Sequence, residues 1–145
     1  LLKPPQKPLL RDHTALNGHQ FEAFLKELFE ALGYTVMQTK GSGDQGADLI
    51  VYKDGESTAV QAKKYTGNVS NKAIQEVVAA KSHYNCQSAM VVTTGEFTKG
   101  AIELALSNNV ELWDNSKLRK VITEINNAAS KRLNESSKIE RSELS

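Results

Sequence analysis

The sequence predicts an α/β fold in which helices cover both faces of one mixed β-sheet. Segments with helical periodicity and β-prone segments follow one another in the order αβββαβαβα. The dipeptide Asp54-Gly55 between two β-prone runs is a strong hairpin signal. A helical segment separates the third strand from the fourth, and a crossover of this kind makes the two strands parallel. The natural packing for such a chain is one sheet between two layers of helices.

Length and composition limit the organisation of the chain. Its 145 residues fit one domain, because a domain takes roughly 100–200 residues. No apolar run approaches the ~18 residues of a membrane span, and the lone cysteine, Cys86, excludes an intrachain disulfide. The net charge is only +1, yet basic residues are in excess at both ends and acidic residues in the middle. That distribution suits a metal site flanked by phosphate-facing surface, or reflects chance scatter and solvated tails.

The first predicted helix follows a proline-containing segment. Asn17 is the expected N-cap, and Gln20 stands three residues later in the capping-box position. Gly33 ends the helix. Apolar residues recur at helical spacing and form one face, which comprises Phe21, Phe24, Leu25, Leu28, Phe29 and Leu32.

The remaining elements follow from the same patterns. Three β-prone runs, separated by a loop with three glycines and by the hairpin turn, predict an antiparallel meander. Ser70 is the expected cap of a second helix, and Asp114 or Ser116 the expected cap of the last one. The predicted strands are residues 34–39, 47–52, 58–65, 88–94 and 110–113, and the third helix is 98–106.

Polar side chains concentrate where the second and third strands pair. Gln61 and Lys63 share one face of the return strand. If the hairpin register brings Asp48 onto that face, its carboxylate meets the Gln61 amide oxygen, the Lys63 ammonium and the backbone carbonyl of Ala62. Such oxygens suit Mg²⁺ or Mn²⁺, and an ammonium stabilises a pentacovalent phosphate. The alternative is that Asp48 ends a strand and that Gln61 and Lys63 form a solvated strand face.

Glu22 supplies a second candidate carboxylate. It lies at the edge of the apolar stripe of the first helix, where it can reach the sheet. The alternative is an ordinary glutamate at the boundary between the buried and exposed faces.

Several motifs resemble the Mrr-like catalytic domain of the restriction-endonuclease superfamily, the PD-(D/E)XK nucleases. The most specific pair is the glycine-rich segment 41–48 (GSGDQGAD) and the strand segment 60–65 (VQAKKY). Segments 18–22 (GHQFE), 33–34 (GY), 92–95 (VTTG) and 97–98 (FT) also match. The resemblance runs from about Asn17 to Ile122 in the family's order, and it implies a restriction-endonuclease-like α/β/α core.

The resemblance implies a metal-dependent DNA endonuclease and assigns roles by position. Asp48 is the metal-binding aspartate and Lys63 the catalytic lysine. Glu22 matches the first-helix glutamate, a further metal ligand or water-positioning group. Gln61 stands where most of the superfamily has an acidic ligand, although glutamine is usual in the Mrr branch. The expected ligands of Mg²⁺ or Mn²⁺ are therefore Asp48, Gln61, Glu22 and the Ala62 carbonyl.

DNA is the expected partner of this domain. Lys40, Ser42, Lys64 and Tyr65 are the expected DNA contacts, although Lys64 and Tyr65 simply end a strand in the alternative interpretation. The Mrr branch is associated with cleavage of modified (methylated) foreign DNA. Whether the chain forms a homodimer, or joins a DNA-recognition domain in a longer parent protein, stays open.

We divide the chain into a linker (1–16), an Mrr-like catalytic domain (17–128) and a polar tail (129–145) that we expect to fray. The single cysteine and the family resemblance favour the cytoplasm, with a prokaryotic or phage origin. Two other functions stay open: a DNA repair or recombination nuclease of the same fold, and a catalytically weak DNA-binding domain.

Overall fold

The computed structural model describes residues 13–39 and 46–144, and it confirms the mixed α/β class. A short 3₁₀ turn precedes four helices and seven strands in these residues. The helices are α1 (Gly18–Ala31), α2 (Asn71–His83), α3 (Lys99–Ser107) and α4 (Asn115–Leu144). The strands are β1 (Thr35–Gln38), β2 (Leu49–Lys53), β3 (Glu56–Lys63), β4 (Asn68–Val69), β5 (Ser88–Thr93), β6 (Glu96–Phe97) and β7 (Val110–Trp113).

Five strands form the central sheet in the order β1-β2-β3-β5-β7. The first three are antiparallel neighbours, and β3, β5 and β7 run parallel. The predicted meander and the predicted parallel crossover through α2 are both confirmed. Because β3 and β5 are parallel neighbours, the carboxyl end of β3 at Lys63 lies beside the carboxyl end of β5 at Thr93.

Local signals account for the element boundaries around the site. Asp54 and Gly55 both have positive φ, 52° and 80°, as the tight turn between β2 and β3 requires. The capping box of α1 is present, since the Asn17 side chain accepts from the Gln20 amide and the Gln20 side chain accepts from the Asn17 amide.

The core consists of two apolar layers on opposite faces of the sheet. One layer joins α1 and α4 to the face that includes Leu49, Val51 and Val60. The other joins α2 and α3 to the face that includes Ile50 and Ala59. Side chains alternate between the layers along each strand, which assigns Gln61 and Lys63 to the α2 face. Trp113 is buried and stacks on Phe29, so it belongs to the core.

Two features differ from the expectations. The strands β4 and β6 form a separate two-residue parallel ladder, too short to give the sequence a periodic pattern. The tail expected to fray continues α4 to Leu144. Its alanine, lysine, arginine and glutamate residues favour a helix without a buried face, and residues 130–143 are exposed. In the described part of the chain, no helix has the length and apolar character needed to cross a membrane.

Candidate active site

Asp48 lies at the entrance to β2, where the chain passes close to α2. Gly46 has a φ of 79°, and a Cβ atom on it would collide with the backbone carbonyl of Glu76. The Asp48 amide donates to the Val60 carbonyl over 2.8 Å, although the register already pairs Val60 with Leu49. Two consecutive residues thus face Val60, as in a β-bulge. The bulge redirects the Asp48 side chain, and its Oδ2 accepts from the Ala62 amide at 2.8 Å.

Glu22 reaches Asp48 from the first turns of α1, as the sequence predicted that it could. Partial burial raises the pKa of the Glu22 carboxyl, and the charge of Asp48 and a hydrogen bond with Asp48 raise this pKa further. The charge of His19 lowers it. Two carboxyl groups in contact disfavour simultaneous ionisation, so a cation beside them is favoured. The structure therefore brings together two of the four predicted catalytic side chains.

Gln61 precedes Ala62 in β3 and is buried, with 4% of its surface exposed. Its Nε2 donates to Oε2 of Glu76 on α2 over 2.7 Å. Its Oε1 has no hydrogen-bond partner among the described residues. A buried oxygen that accepts no hydrogen bond destabilises the folded protein. A metal ion bound to this oxygen would remove the penalty.

Lys63 ends β3 and is half-buried. Its ammonium forms no ion pair with any residue that the structure describes. The backbone around it is held by β5, because the Thr94 amide donates to the Lys63 carbonyl at 3.2 Å. The Thr94 hydroxyl accepts from the Tyr65 amide at 2.9 Å and donates to the Tyr65 carbonyl at 3.0 Å. Thr94 thereby fixes the segment that carries Lys63.

Of the four predicted DNA contacts, the structure describes Lys64 and Tyr65. Lys64 is half-buried and Tyr65 is exposed, at the carboxyl end of β3. Lys40 and Ser42 lie outside the described residues, as does most of the glycine-rich segment.

The oxygen donors fit a hard divalent cation. In residues 13–39 and 46–144, no three His, Cys, Asp or Glu side chains converge on a metal site. An ion near Asp48 and Glu22 would therefore need amide or carbonyl oxygens as further ligands. The Gln61 Oε1 atom, which has no hydrogen-bond partner among the described residues, is a candidate for one of them. Carboxylate, amide and carbonyl oxygens are the ligands that Mg²⁺ and Mn²⁺ prefer.

Sequence reasoning missed two residues of this region, Glu76 and the clamp made by Thr94. Glu76 lies between Ile74 and Val77, which belong to the buried face of α2. This position at the edge of an apolar stripe is the only feature of the sequence that points to Glu76. Thr94 lies in a segment that matched the family resemblance, but its bonds to Tyr65 depend on the pairing of β3 with β5.

Comparison with known proteins identifies a related catalytic domain. Residues 13–122 match the family model Mrr_cat, described as restriction endonuclease. The uncharacterized protein y4cE of Sinorhizobium fredii (strain NBRC 101917 / NGR234) is 28% identical over 134 residues, covering 80% of this chain and 34% of that protein.

Two solved structures share the fold. The DNA modification-dependent restriction endonuclease AspBHI superposes with a TM-score of 0.57 at 18% identity, over 83% of this chain and 34% of AspBHI. The protein of unknown function AF1548 superposes with a TM-score of 0.56 at 16% identity, over 64% of this chain and 55% of AF1548. The fold is thus that of a restriction endonuclease domain. The chain spans about a third of the length of y4cE and of AspBHI.

Proposed function

The chain belongs to the restriction endonuclease family of the Mrr_cat model, and on that premise we propose that it is a divalent-metal-dependent endodeoxyribonuclease. It hydrolyses phosphodiester bonds, and its role is the restriction of modified (methylated) foreign DNA. The observation that carries the metal dependence is the buried, unpartnered Gln61 Oε1. It belongs to the residue next to Ala62, whose amide binds the Asp48 carboxylate.

Four residues would hold the metal ion. Asp48 and Glu22 contribute carboxylate oxygens, Gln61 its side-chain oxygen and Ala62 its backbone carbonyl. When bound, Mg²⁺ or Mn²⁺ supplies a Lewis acid that polarises the phosphate and acidifies a water molecule. The chain itself orients these oxygens through the Ala62 amide, which holds Asp48, and through the β3–β5 pairing that fixes the segment after Gln61.

Lys63 provides the positive charge that the reaction needs at the phosphate. Its ammonium is not engaged with an acidic side chain in the described part of the chain. It is therefore available to stabilise the negative charge that develops on the phosphate oxygens. The exposed Tyr65 and the neighbouring Lys64 would bind the DNA backbone. Lys40 and Ser42 are proposed as further DNA contacts from the sequence alone.

The proposal that the substrate is modified DNA has separate support. AspBHI, which shares the fold, is a DNA modification-dependent restriction endonuclease by its name.

A plasmid cleavage assay tests this function. Methylated, unmethylated and branched DNA are incubated with the protein in Mg²⁺, in Mn²⁺ and in EDTA. We expect metal-dependent cleavage that favours methylated DNA and is lost in Asp48→Ala and Lys63→Ala. The exposed residues Glu124 and Lys120 of α4 provide matched controls, Glu124→Ala and Lys120→Ala, which should cut normally.

Other outcomes of the assay would overturn parts of the proposal. Preference for branched DNA would indicate repair or recombination, and DNA binding without cleavage would indicate a binding domain. Normal cutting by both Asp48→Ala and Lys63→Ala would contradict the site.

A further inference from the structure

We propose that Glu76 is a positioning residue that turns the amide oxygen of Gln61, and not its NH₂ group, toward the metal. The inference rests on the proposed function, because it concerns a ligand of the metal that this function needs. Glu76 is not among the residues that the sequence motifs assign to the site. It acts through Gln61, since its Oε2 binds Gln61 Nε2 at 2.7 Å.

The polarity of this contact follows from the chemistry of the two groups. An ionised carboxylate accepts hydrogen bonds and cannot donate them, whereas the amide has one donating and one accepting end. Only the NH₂ group of Gln61 can therefore point at Glu76. The oxygen must point the other way, and it is this atom that is buried without a partner among the described residues.

The same contact explains why glutamine occupies position 61. A glutamate there would place its carboxylate about a hydrogen-bond length from that of Glu76, and two like charges in a partly buried place repel strongly. With glutamine the pair is attractive. The negative charge that an acidic residue at position 61 would carry is then present on Glu76, which accepts from Gln61 Nε2.

The fold holds Glu76 where this contact requires it. Its neighbours Ala73, Ile74 and Val77 are buried against the sheet, which fixes the rotation of α2. Gly46 packs against the backbone carbonyl of Glu76. The ion pair with Lys72 does not explain the position, because Lys72 is 84% exposed and its Nζ lies 4.0 Å from Glu76 Oε1. Exposed ion pairs of this type contribute little to the stability of the folded protein.

Calorimetric titration with Mn²⁺ separates positioning from a simple charge effect. We expect Glu76→Ala to weaken Mn²⁺ binding about tenfold, as is typical when a residue that orients a metal ligand is removed. Glu76→Gln keeps an oxygen that accepts from Gln61 Nε2, so its loss should stay within about threefold, the cost of two competing amide orientations. Equal losses in the two variants would show that only the charge of Glu76 matters, and wild-type affinity in both would show no role. Glu124→Ala is the control.

Thermal unfolding in EDTA at neutral pH tests the contact without metal. Gln61→Glu should lower the melting temperature by roughly 3–8 °C through carboxylate repulsion. Adding Glu76→Gln should recover most of the loss, because the amide introduced at position 76 then donates to the carboxylate introduced at position 61. Additive effects of the two substitutions would contradict direct coupling. The exchanged pair should also bind Mn²⁺ at least as tightly as wild type, whereas weak binding would indicate that Glu76 is itself the ligand.

Failure of this inference is distinguishable from failure of the proposed function. If wild-type protein binds no Mn²⁺, or if Asp48→Ala binds it equally well, the metal site itself is wrong and the inference falls with it. If binding depends on Asp48 but not on Glu76, only the inference is overturned.

Discussion

The Oδ2 atom of Asp48 accepts a hydrogen bond from the backbone amide of Ala62, 2.8 Å away. This bond joins the entrance of β2 to the strand that carries Gln61 and Lys63. The remaining acceptor capacity of the carboxylate is open to Glu22 and to a cation. Asp48 therefore has a structural and a chemical role, and substitutions can separate the two.

Replacement of Asp48 by asparagine should keep the structural role. The amide oxygen of the introduced side chain can still accept from Ala62, so we expect the free energy of unfolding to stay within about 1 kcal/mol of wild type. Mn²⁺ affinity should fall at least about tenfold, because a charged ligand is lost. Asp48→Ala should lower both the free energy of unfolding and the Mn²⁺ affinity. Calorimetry and denaturant unfolding measure them, and normal Mn²⁺ binding by Asp48→Asn would contradict the assignment.

Replacement of Lys63 by methionine should slow DNA cleavage without weakening metal binding. The aliphatic stem is retained, but the charge that stabilises the transition state is removed. We expect the rate of plasmid cleavage to fall about 10²–10³-fold, as for loss of one stabilising donor, with Mn²⁺ affinity unchanged or higher. Lys120→Met is the matched control. Loss of Mn²⁺ binding in Lys63→Met would assign Lys63 a structural role instead.

Replacement of Glu22 by glutamine should change how stability depends on pH. The pKa of Glu22 is raised in the folded protein from the ordinary value of 4.5, so the folded state binds more protons than the unfolded state in the window above 4.5. Wild-type stability in EDTA should therefore fall as pH rises through this window.

The Glu22→Gln protein lacks this contribution to pH dependence. At pH 7 in EDTA it should melt about 1–3 °C higher than wild type, a small effect because Glu22 is partly solvated. The difference should shrink as the pH approaches 4.5, and saturating Mn²⁺ should reverse its sign at pH 7 by stabilising the wild type. A melting-temperature difference that is constant across pH would contradict the raised pKa that burial and Asp48 give Glu22.

Replacement of Thr94 by valine should loosen the end of β3. Valine has nearly the same shape, but it leaves the Tyr65 amide and carbonyl without the partners that the Thr94 hydroxyl provides. We expect a loss of about 1–3 kcal/mol in the free energy of unfolding and slower cleavage, because Lys63 precedes this segment. Thr123→Val on the exposed surface of α4 is the control, and a stability equal to wild type would show that the clamp is unimportant.

Deletion of residues 131–145 should leave the domain intact. Ala129 is buried, but residues 130–143 are exposed, so their removal takes little apolar surface from the core. The free energy of unfolding should change by less than about 1 kcal/mol. Circular dichroism should lose helical signal in proportion to the deleted turns. A large loss of stability would show that this part of α4 packs against the rest of the domain.

The sequence predicted the elements whose signals are local. The Asp54-Gly55 turn, the Asn17–Gln20 capping box and the parallel crossover through α2 each follow from a short pattern or from chain connectivity. The strand predicted at residues 88–94 is β5, which is buried on both faces, because Ala89 and Met90 lie in different core layers. These features are sufficient to place the start of β2 beside the carboxyl end of β3.

The rest depends on tertiary geometry. The contact between Gln61 and Glu76 requires a particular rotation of α2 about its axis, which no spacing in the sequence specifies. The bulge at Asp48 is a shift of one residue in register, and the β4–β6 ladder has only two residue pairs. The helical extension beyond Ala129 has no apolar stripe to signal it, so composition alone suggested a frayed tail.

The rate of plasmid cleavage in Mg²⁺ by wild type and by Asp48→Asn tests the metal-dependent nuclease most directly. Both proteins are expected to fold alike, and they differ in one charge at the metal. We predict cleavage by wild type that stops in EDTA, and a rate for Asp48→Asn that is lower by about 10² or more. Equal rates for the two purified proteins, or cleavage that persists in EDTA, would contradict it.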